Sequence, residues 1–316
     1  MKFLSFAILI ILFIFPSIGY SQIIIITQKP DTISSWAKKN SVGFDISEIA
    51  FFNWSAGGTS SVSGLLKGDF TRIQTKDHSL WHNELIVRYG LNKQEGTELR
   101  KTEDAIKFNS TYGYRKDTLT NWYHSAKFNF ATQFSNGYSY PNVDYPVSKP
   151  FAPAYVFLGI GAENADKKKQ RIFYISPCTL KTTLVLDQRL ANLGAFGVKK
   201  AAYDSAGTLI SEGEKFKSEF GFLVTGYMKS EIFTNITLEN RLILYSDYLN
   251  NFGNIDLDWD IQTSLVVNQY VKANIGLHII YDDDIKTSEI IDGINVVKGP
   301  KTQLKQVLGI GLVYAF

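Results

Sequence analysis

Large apolar residues alternate with small or polar residues at the end of the chain, from Thr302 to Phe316. From Leu304 the even positions carry Leu, Gln, Leu, Ile, Leu, Tyr and Phe, whereas the odd positions carry Lys, Val, Gly and Ala. A β-strand points successive side chains to opposite faces, so this period of two predicts one strand with one apolar face. Such a strand, ending in the aromatic residues Tyr314 and Phe316, is typical of a β-strand that crosses a membrane.

The same alternation recurs along the chain and divides it into twelve segments. In the most regular part, Val271 and Leu277 stand on one face while Lys272 and His278 stand on the other. The segments are 41–52, 59–74, 79–92, 104–115, 121–135, 152–163, 171–188, 215–229, 231–246, 256–269, 271–283 and 302–316. This pattern predicts an all-β fold, an antiparallel up-and-down transmembrane β-barrel of about twelve strands over residues 41–316.

Connections between these segments alternate between short turns and longer loops, with Asn53–Gly58 as the exception. The long connections are 93–103, 136–151, 189–214, 247–255 and 284–301. Short turns on one side and long loops on the other are typical of outer-membrane barrels, and an even strand count predicts both termini on the periplasmic side. We expect the loops 136–151 and 189–214 to fold over the outer mouth of the barrel.

The first 21 residues have the organisation of a secretory signal peptide. Lys2 is followed by the apolar run Phe3–Phe15 and by a small-x-small site at Gly19–Ser21. The apolar run is shorter than the roughly 20 residues that a membrane-spanning helix needs, so cleavage is favoured over anchoring. We interpret 22–40 as a periplasmic lead-in and expect the mature chain in the cell outer membrane.

Composition agrees with a barrel. The chain is 45% hydrophobic and 14% aromatic, its mean hydropathy is −0.07, and half of each barrel strand faces water. Loss of Lys2 with the leader lowers the formal charge from +3 to +2, which predicts no nucleic-acid partner. Cys178 is the single cysteine, so no intramolecular disulfide can form.

Charged and polar residues on the opposite strand faces are predicted to line the lumen. They are Lys67, Asp69, Glu84, Arg88, Lys107, Lys127, Glu239, Arg241, Asp258, Asp260, Lys272, His278 and Lys305. Because this set is mixed in sign, its members can pair across neighbouring strands. Open porin channels need about 16 to 18 strands. Twelve strands therefore predict a narrow or closed lumen that conducts weakly or not at all.

Catalytic and metal-binding constellations are weak in this sequence. His78, His82, His124 and His278 lack an accompanying serine-centred motif, so we predict no enzyme. The run Asp282–Asp284 offers oxygen ligands, but adjacent strand residues point alternately and converge poorly, so we predict no metal site. No phosphate loop, zinc spacing or dinucleotide fingerprint is present, and no cofactor is predicted.

The segment Phe52-Asn53-Trp54-Ser55-Ala56-Gly57-Gly58 resembles the Asn-Trp-x-x-Gly-Gly segment of a Bacteroidetes family of uncharacterised exported proteins, a domain of unknown function. Ile175-Ser176-Pro177 and Leu308-Gly309-Ile310-Gly311-Leu312 extend the resemblance. It implies an exported, barrel-like protein of unknown activity. Physically, Gly57 and Gly58 suit a tight turn, and Trp54 suits an anchor at the rim.

The function predicted from the sequence is that of an outer-membrane barrel of unspecific role. It is either a narrow or closed pore for small polar solutes or a structural surface protein, and it is a monomer. Its expected partners are outer-membrane lipid and the barrel-insertion machinery, since Tyr314 and Phe316 resemble the terminal signal of Gram-negative outer-membrane barrels. One alternative is a secreted or periplasmic soluble β-protein that binds a ligand or partner, with its aromatic faces inside a core. Another is a barrel enzyme that acts on lipid.

Overall fold

Twelve strands of the computed structural model close into one antiparallel barrel. The structure describes residues 36–49, 59–250, 252–284, 286–291 and 294–316. The predicted signal peptide 1–21, most of the lead-in 22–40, and the motif residues Trp54, Gly57 and Gly58 lie outside the described residues.

Sixteen strands and one short α-helix are present among the described residues. They are β1 (Trp36–Ile49), β2 (Ser61–Thr75), β3 (Ser79–Gln94), β4 (Arg100–Tyr114), β5 (Trp122–Thr132), β6 (Ala154–Asp166), β7 (Arg171–Leu184), α1 (Gln188–Asn192), β8 (Ala202–Tyr203), β9 (Leu209–Ser211), β10 (Phe216–Phe233), β11 (Ile236–Asp247), β12 (Asp256–Val266), β13 (Val271–Tyr281), β14 (Lys286–Ile291), β15 (Ile294–Pro300) and β16 (Gln303–Ala315). The pairs β8–β9 and β14–β15 form separate two-stranded sheets.

Barrel strands pair with their neighbours in sequence, and β1 closes the ring against β16. The closing register runs from Ser41 opposite Ala315 to Ile46 opposite Ile310. This topology confirms the predicted antiparallel up-and-down barrel of twelve strands. β1 begins at Trp36, within the stretch assigned to the lead-in, because its first residues pair with β2 alone and are too polar to show a clear alternation.

The outer surface of the barrel is apolar and exposed. On β16, Leu308, Ile310 and Leu312 are 68%, 61% and 61% exposed, whereas the intervening Gly309 and Gly311 are buried. A soluble β-protein would bury its large apolar faces in a core. The alternation of β16 instead presents them outward, as the sequence predicts.

The two ends of the barrel differ. Short connections lie at one end, the short-turn end, where they join β2–β3, β4–β5, β6–β7, β10–β11 and β12–β13. β1 begins and β16 ends at this same end. Exposed aromatics surround this end, with the Trp36 and Trp81 rings 5.3 Å apart and Tyr314 stacked on Phe316. The other end, the long-loop end, carries the longer connections. β1 ends at Ile49 and β2 begins at Ser61, and the expected exception to the length rule, Asn53–Gly58, lies outside the described residues.

Two loops at the long-loop end pack on each other. The connection before β6 meets the connection that carries α1 in a buried cluster of Ala152, Val185, Leu190, Ala191 and Val198. Burial of this apolar surface holds the two loops together. Among the described residues, no helix is long and apolar enough to cross a bilayer.

Candidate functional site

An ion pair crosses the interior of the barrel near its middle. Both terminal guanidinium nitrogens of Arg241 lie within hydrogen-bond distance of the Glu84 carboxylate, with Nη2 to Oε1 at 2.8 Å and Nη1 to Oε2 at 2.9 Å. Arg241 lies on β11 and Glu84 on β3, with five strands between them in either direction around the ring. The pair is therefore bidentate and spans the full width of the lumen.

Two further charges complete what we call the central network: Glu84, Lys229, Glu239 and Arg241. Glu239 accepts from Arg241 Nε at 3.1 Å and from Lys229 Nζ at 3.0 Å. The Arg241 guanidinium also stacks on the Tyr227 ring, 4.7 Å from its centroid. Two cations thus face two carboxylates, and the network is balanced in charge.

The remaining residues of the predicted lumen-facing set fall into several smaller groups. Their contacts are Lys67–Asp45 at 2.6 Å, Arg88–Asp69 at 2.7 Å, His278–Asp258 at 2.7 Å, Lys305–Glu103 at 2.6 Å, and Lys127 Nζ to Thr225 Oγ1 at 2.7 Å. The Lys305–Glu103 pair joins β16 to β4 across three intervening strands. Asp260 accepts from Gln262, while Lys107 on β4 and Lys272 on β13 do not join these ion pairs.

A second cluster, the mouth cluster, lies at the long-loop end and consists of Lys181, Lys217, Glu219, Asp256, Asp282 and Asp284. Lys181 Nζ lies 2.7 Å from Asp256, 3.5 Å from Glu219 and 3.9 Å from Asp282. Lys217 pairs with Asp284 and lies 3.5 Å from Glu219. The side chains of Lys181 and Glu219 are only 6% and 3% exposed, so these are buried charges that depend on one another.

The lumen-facing set predicted from the sequence contains no member of the mouth cluster, and a β-bulge in β7 explains the omission of Lys181. Before the bulge the buried side chains are Tyr174 and Ser176, and after it they are Thr179 and Lys181. At Pro177, β7 has one more residue than each of its two partner strands has opposite it. Proline has no backbone N–H to donate to a ladder hydrogen bond, so it suits a bulge. The buried residues of β7 are therefore even-numbered before the bulge and odd-numbered after it, so counting every second residue along the strand assigns Lys181 to the wrong face. Cys178 lies exposed beside it.

The prediction that the Asp282–Asp284 carboxylates converge poorly rests on the geometry of a single strand. In the structure the ladder between β12 and β13 ends with Leu257 opposite Tyr281, so Asp256 and Asp282 are the next residues at that end of the two strands. Ligand oxygens of Asp256, Asp282 and Asp283 all lie within 4.8 Å of one another. A third carboxylate from a neighbouring strand supplies the convergence that a single strand cannot.

Below the mouth cluster, one wall of the interior is filled by apolar and aromatic side chains. Tyr174, Leu223 and Tyr245 are buried together, with Phe157 and Ile243 packed against them. Lys127 Nζ lies 4.8 Å from the centre of the Tyr174 ring, and Lys181 Nζ lies 5.0 Å from that of Tyr245. These rings narrow the lumen and contact the charged groups on either side of them.

Among the four histidines, His78 and His278 make hydrogen bonds in the described part of the chain. His278 is paired with Asp258 rather than with a serine. The Nδ1 atom of His78 lies 3.0 Å from the Arg115 carbonyl oxygen in the turn region. His82 lies on β3 near Glu84 in the central network. The contacts of these residues are those of lumen and turn histidines.

The packed loops reach over the mouth cluster. Gly197 has a positive φ of 81° and lies so close that a Cβ atom there would be 3.3 Å from Asp284 Cβ. Lys149 Nζ lies 2.5 Å from the Asp187 carboxylate, which also caps α1 by accepting from the Leu190 N–H at 3.0 Å. Burial opposes ionisation of Asp187, but these two hydrogen bonds outweigh it and lower the pKa of its carboxyl below the usual value.

The chain is similar to an uncharacterised protein family over its first barrel strands: the family described as "Protein of unknown function (DUF3078)" matches residues 46–138. No curated protein matches the chain. Similar solved structures include an outer-membrane channel from Pseudomonas putida F1, with 10% identity, a TM-score of 0.39, and coverage of 92% of this chain and 100% of that chain. The NanC porin has 11% identity, a TM-score of 0.36, and coverage of 87% and 98%. The translocator domain of autotransporter NalP from Neisseria meningitidis has 9% identity, a TM-score of 0.35, and coverage of 88% and 86%.

Proposed function

We propose that this chain is an outer-membrane β-barrel, exported by the leader 1–21. The observation that supports membrane insertion is the division between its two surfaces: large apolar side chains cover the outside of the ring, and ion pairs fill its inside. In a lipid bilayer every backbone polar group must be satisfied internally, which a closed barrel achieves. The aromatics at the short-turn end suit the interface with lipid headgroups.

Membrane insertion is tested by refolding the chain into phospholipid vesicles and following the gel mobility shift on boiling. Ile310, in the middle of the outward face of β16, should not tolerate Arg, because a cation there costs roughly 2 to 4 kcal/mol near the bilayer midplane. Gln306→Arg is the matched control, since it introduces the same side chain on the same face where a polar residue already stands. Equal folded yields for the two variants would contradict the proposal.

Within that barrel we infer a narrow passage for small polar solutes that the central network holds closed. The observation that carries this inference is the bidentate Glu84–Arg241 pair, which joins opposite walls of the lumen. The aromatic wall at Tyr174 and Tyr245 narrows the remaining space. A path for ions through this lumen must part the pair, so the intact chain should conduct weakly or not at all.

Planar-bilayer recording tests this inference with two matched double variants. Glu84→Ala with Arg241→Ala removes the bridge across the lumen, keeps the interior neutral, and leaves the Lys229–Glu239 pair in place. Asp69→Ala with Arg88→Ala also removes one arginine and one carboxylate, but this pair joins adjacent strands. We expect increased conductance from the first variant only. A large steady current from the intact chain would refute the closed lumen, and silence from all three would favour a structural surface protein.

The proposed partners follow from the proposed position of the barrel in the outer membrane. We propose that the chain is a monomer in outer-membrane lipid, and that Tyr314 and Phe316, exposed and stacked 5.6 Å apart, present its end to the barrel-insertion machinery. We also propose that it belongs to the uncharacterised family that matches residues 46–138. Deletion of Phe316 should lower the yield of folded barrel in cells more than in vesicles if the insertion machinery reads it.

A further inference from the structure

A small void lies beside the mouth cluster at the long-loop end of the interior. Its volume is about 10 Å³, the space of about one water-sized sphere. Carboxylates dominate its walls, from Glu219, Asp247, Asp256, Asp283 and Asp284. The void therefore has room for one small species and is surrounded by oxygen atoms.

The carboxylates at the void come from different strands that the barrel brings together. Asp256 begins β12, Asp282 and Asp283 follow β13, and their ligand oxygens lie within 4.8 Å of one another. Nearby, Asn254 Nδ2 donates to Asp283 Oδ2 at 2.8 Å. Carboxylate oxygens gathered at this separation are the kind of ligand that hard divalent cations prefer.

The hydroxyl of Tyr245 is an independent indication of a missing ligand. Tyr245 stands opposite Asp256 in the β11–β12 ladder and lines the same void. Its side chain is buried, with 2% of the residue exposed, and its oxygen has no hydrogen-bond partner among the described residues. A buried polar atom without a partner is costly, so a group that the hydroxyl oxygen can bind is expected in the void.

Charge balance at the void also calls for a cation. Two ammonium groups, those of Lys181 and Lys217, contact the four carboxylates of the mouth cluster. Asp247 and Asp283 line the void beside that cluster and bring the number of carboxylates to six. Two positive charges against six negative ones leave four negative charges in excess. Like charges held together in a partly buried site repel one another, and a bound cation would relieve that repulsion.

We propose that the carboxylates of Asp256, Asp282 and Asp283, which meet beside this void, bind one divalent cation of the Ca²⁺ type, with the Tyr245 hydroxyl as a further oxygen. Ca²⁺ accepts about six to eight oxygens in flexible geometry, whereas Mg²⁺ requires a near-ideal octahedron and retains its waters. Ligands from strand ends and loops suit the first ion better. Bound there, the cation ties the β11–β12 side of the mouth to the segment after β13.

Calorimetric titration of the full chain, refolded in detergent and freed of metal with EDTA, tests the site with CaCl₂ as the probe. We expect one Ca²⁺ per chain and affinity for Mg²⁺ at least about tenfold weaker. Asp283→Asn should weaken Ca²⁺ binding about tenfold or more while leaving the contacts of Lys181 intact. Tyr245→Phe, which is nearly isosteric and preserves the packed wall, should weaken it about threefold, the loss of one ligand among several. Asp77→Asn, in the exposed turn between β2 and β3, is the control and should bind as the wild type does.

Two results would overturn the site: no heat from the wild type with millimolar CaCl₂, or wild-type affinity in both Asp283→Asn and Tyr245→Phe. The gel mobility shift on boiling establishes that each variant is folded. Because binding is measured in detergent without any current, failure of the cation site is distinguishable from failure of the proposed passage.

Discussion

The central network and the mouth cluster both pair cationic side chains with carboxylates, but they differ in charge balance and in which strands they join. In the central network two carboxylates meet two cations, and Arg241 reaches from β11 to Glu84 on the opposite wall. In the mouth cluster Lys181 and Lys217 form ion pairs with four carboxylates, and all of these residues lie on one side of the ring. A balanced network that spans the lumen needs no further ion, and in our proposal it closes the passage. The mouth cluster has more carboxylates than cationic side chains, so carboxylate oxygens are available to bind a metal ion from solution.

The largest expected effect is at Lys181 of the mouth cluster, whose side chain is better buried than that of Arg241 in the central network, at 6% exposed against 31%. Lys181→Met leaves Glu219, Asp256 and Asp282 without their shared ammonium group, and breaking a buried pair in this way costs on the order of 3 to 5 kcal/mol. Urea unfolding in vesicles, followed by tryptophan fluorescence with EDTA present, measures the free energy of unfolding.

Calcium sharpens that test. If the mouth cluster differs from the central network as we describe, CaCl₂ should restore much of the stability of Lys181→Met, because the cation takes over the role of the ammonium group. If the free energy of unfolding of Lys181→Met in EDTA fell by less than about 1 kcal/mol, as for an exposed ion pair, the two clusters would no longer differ in the way we describe.

Arg241→Met should have the next largest effect. It leaves Glu84 and Glu239 facing each other across the lumen, and we expect a loss of roughly 3 kcal/mol, the lower end of the range for buried pairs because 31% of the Arg241 side chain is exposed. The same urea titration measures it. Here CaCl₂ should give no rescue, since the carboxylates approach from opposite walls. Rescue equal to that of Lys181→Met would mean that the two clusters respond alike.

The smallest expected effect concerns the loops above the mouth cluster, where acid should loosen the Lys149–Asp187 contact. The pKa of Asp187 is lowered in the folded state, so its stabilisation is fully present above the ordinary Asp value of about 4 and is lost as the pH falls through the folded-state value. The loss should be roughly 1 kcal/mol, the size of an N-cap contribution. Hydrogen exchange of the amides of α1 at pH 7 and pH 3, corrected for the intrinsic rates, measures it.

Asp187→Asn is the matched control for the acid response. Asn is as good an N-cap as Asp but does not titrate, so the variant should keep α1 protected and lose the pH dependence. An acid response that persists in Asp187→Asn would assign the loosening to other groups of the mouth region. The central network, which makes no contact with these loops, should show no change in amide protection over the same step.

The sequence by itself determined the number of barrel strands, the faces that the regularly alternating strands present and the two unlike ends of the barrel. These properties are local: a period of two along one strand decides which side chains point outward, and the apolar set Leu308, Ile310 and Leu312 is indeed exposed. The alternation also identified Glu84 and Arg241 as candidates for the interior. It could not pair them, because 157 positions separate them in the chain.

The tertiary structure alone decided which interior groups meet. Closure of β1 on β16 sets the circumference, and only then do β3 and β11 stand opposite each other so that Arg241 reaches Glu84. The bulge at Pro177 reverses the alternation of β7 and turns Lys181 inward, toward carboxylates from the ends of other strands. Such partners depend on ring closure, register and bulges, which are properties of several strands at once, and no single strand carries them in its own pattern.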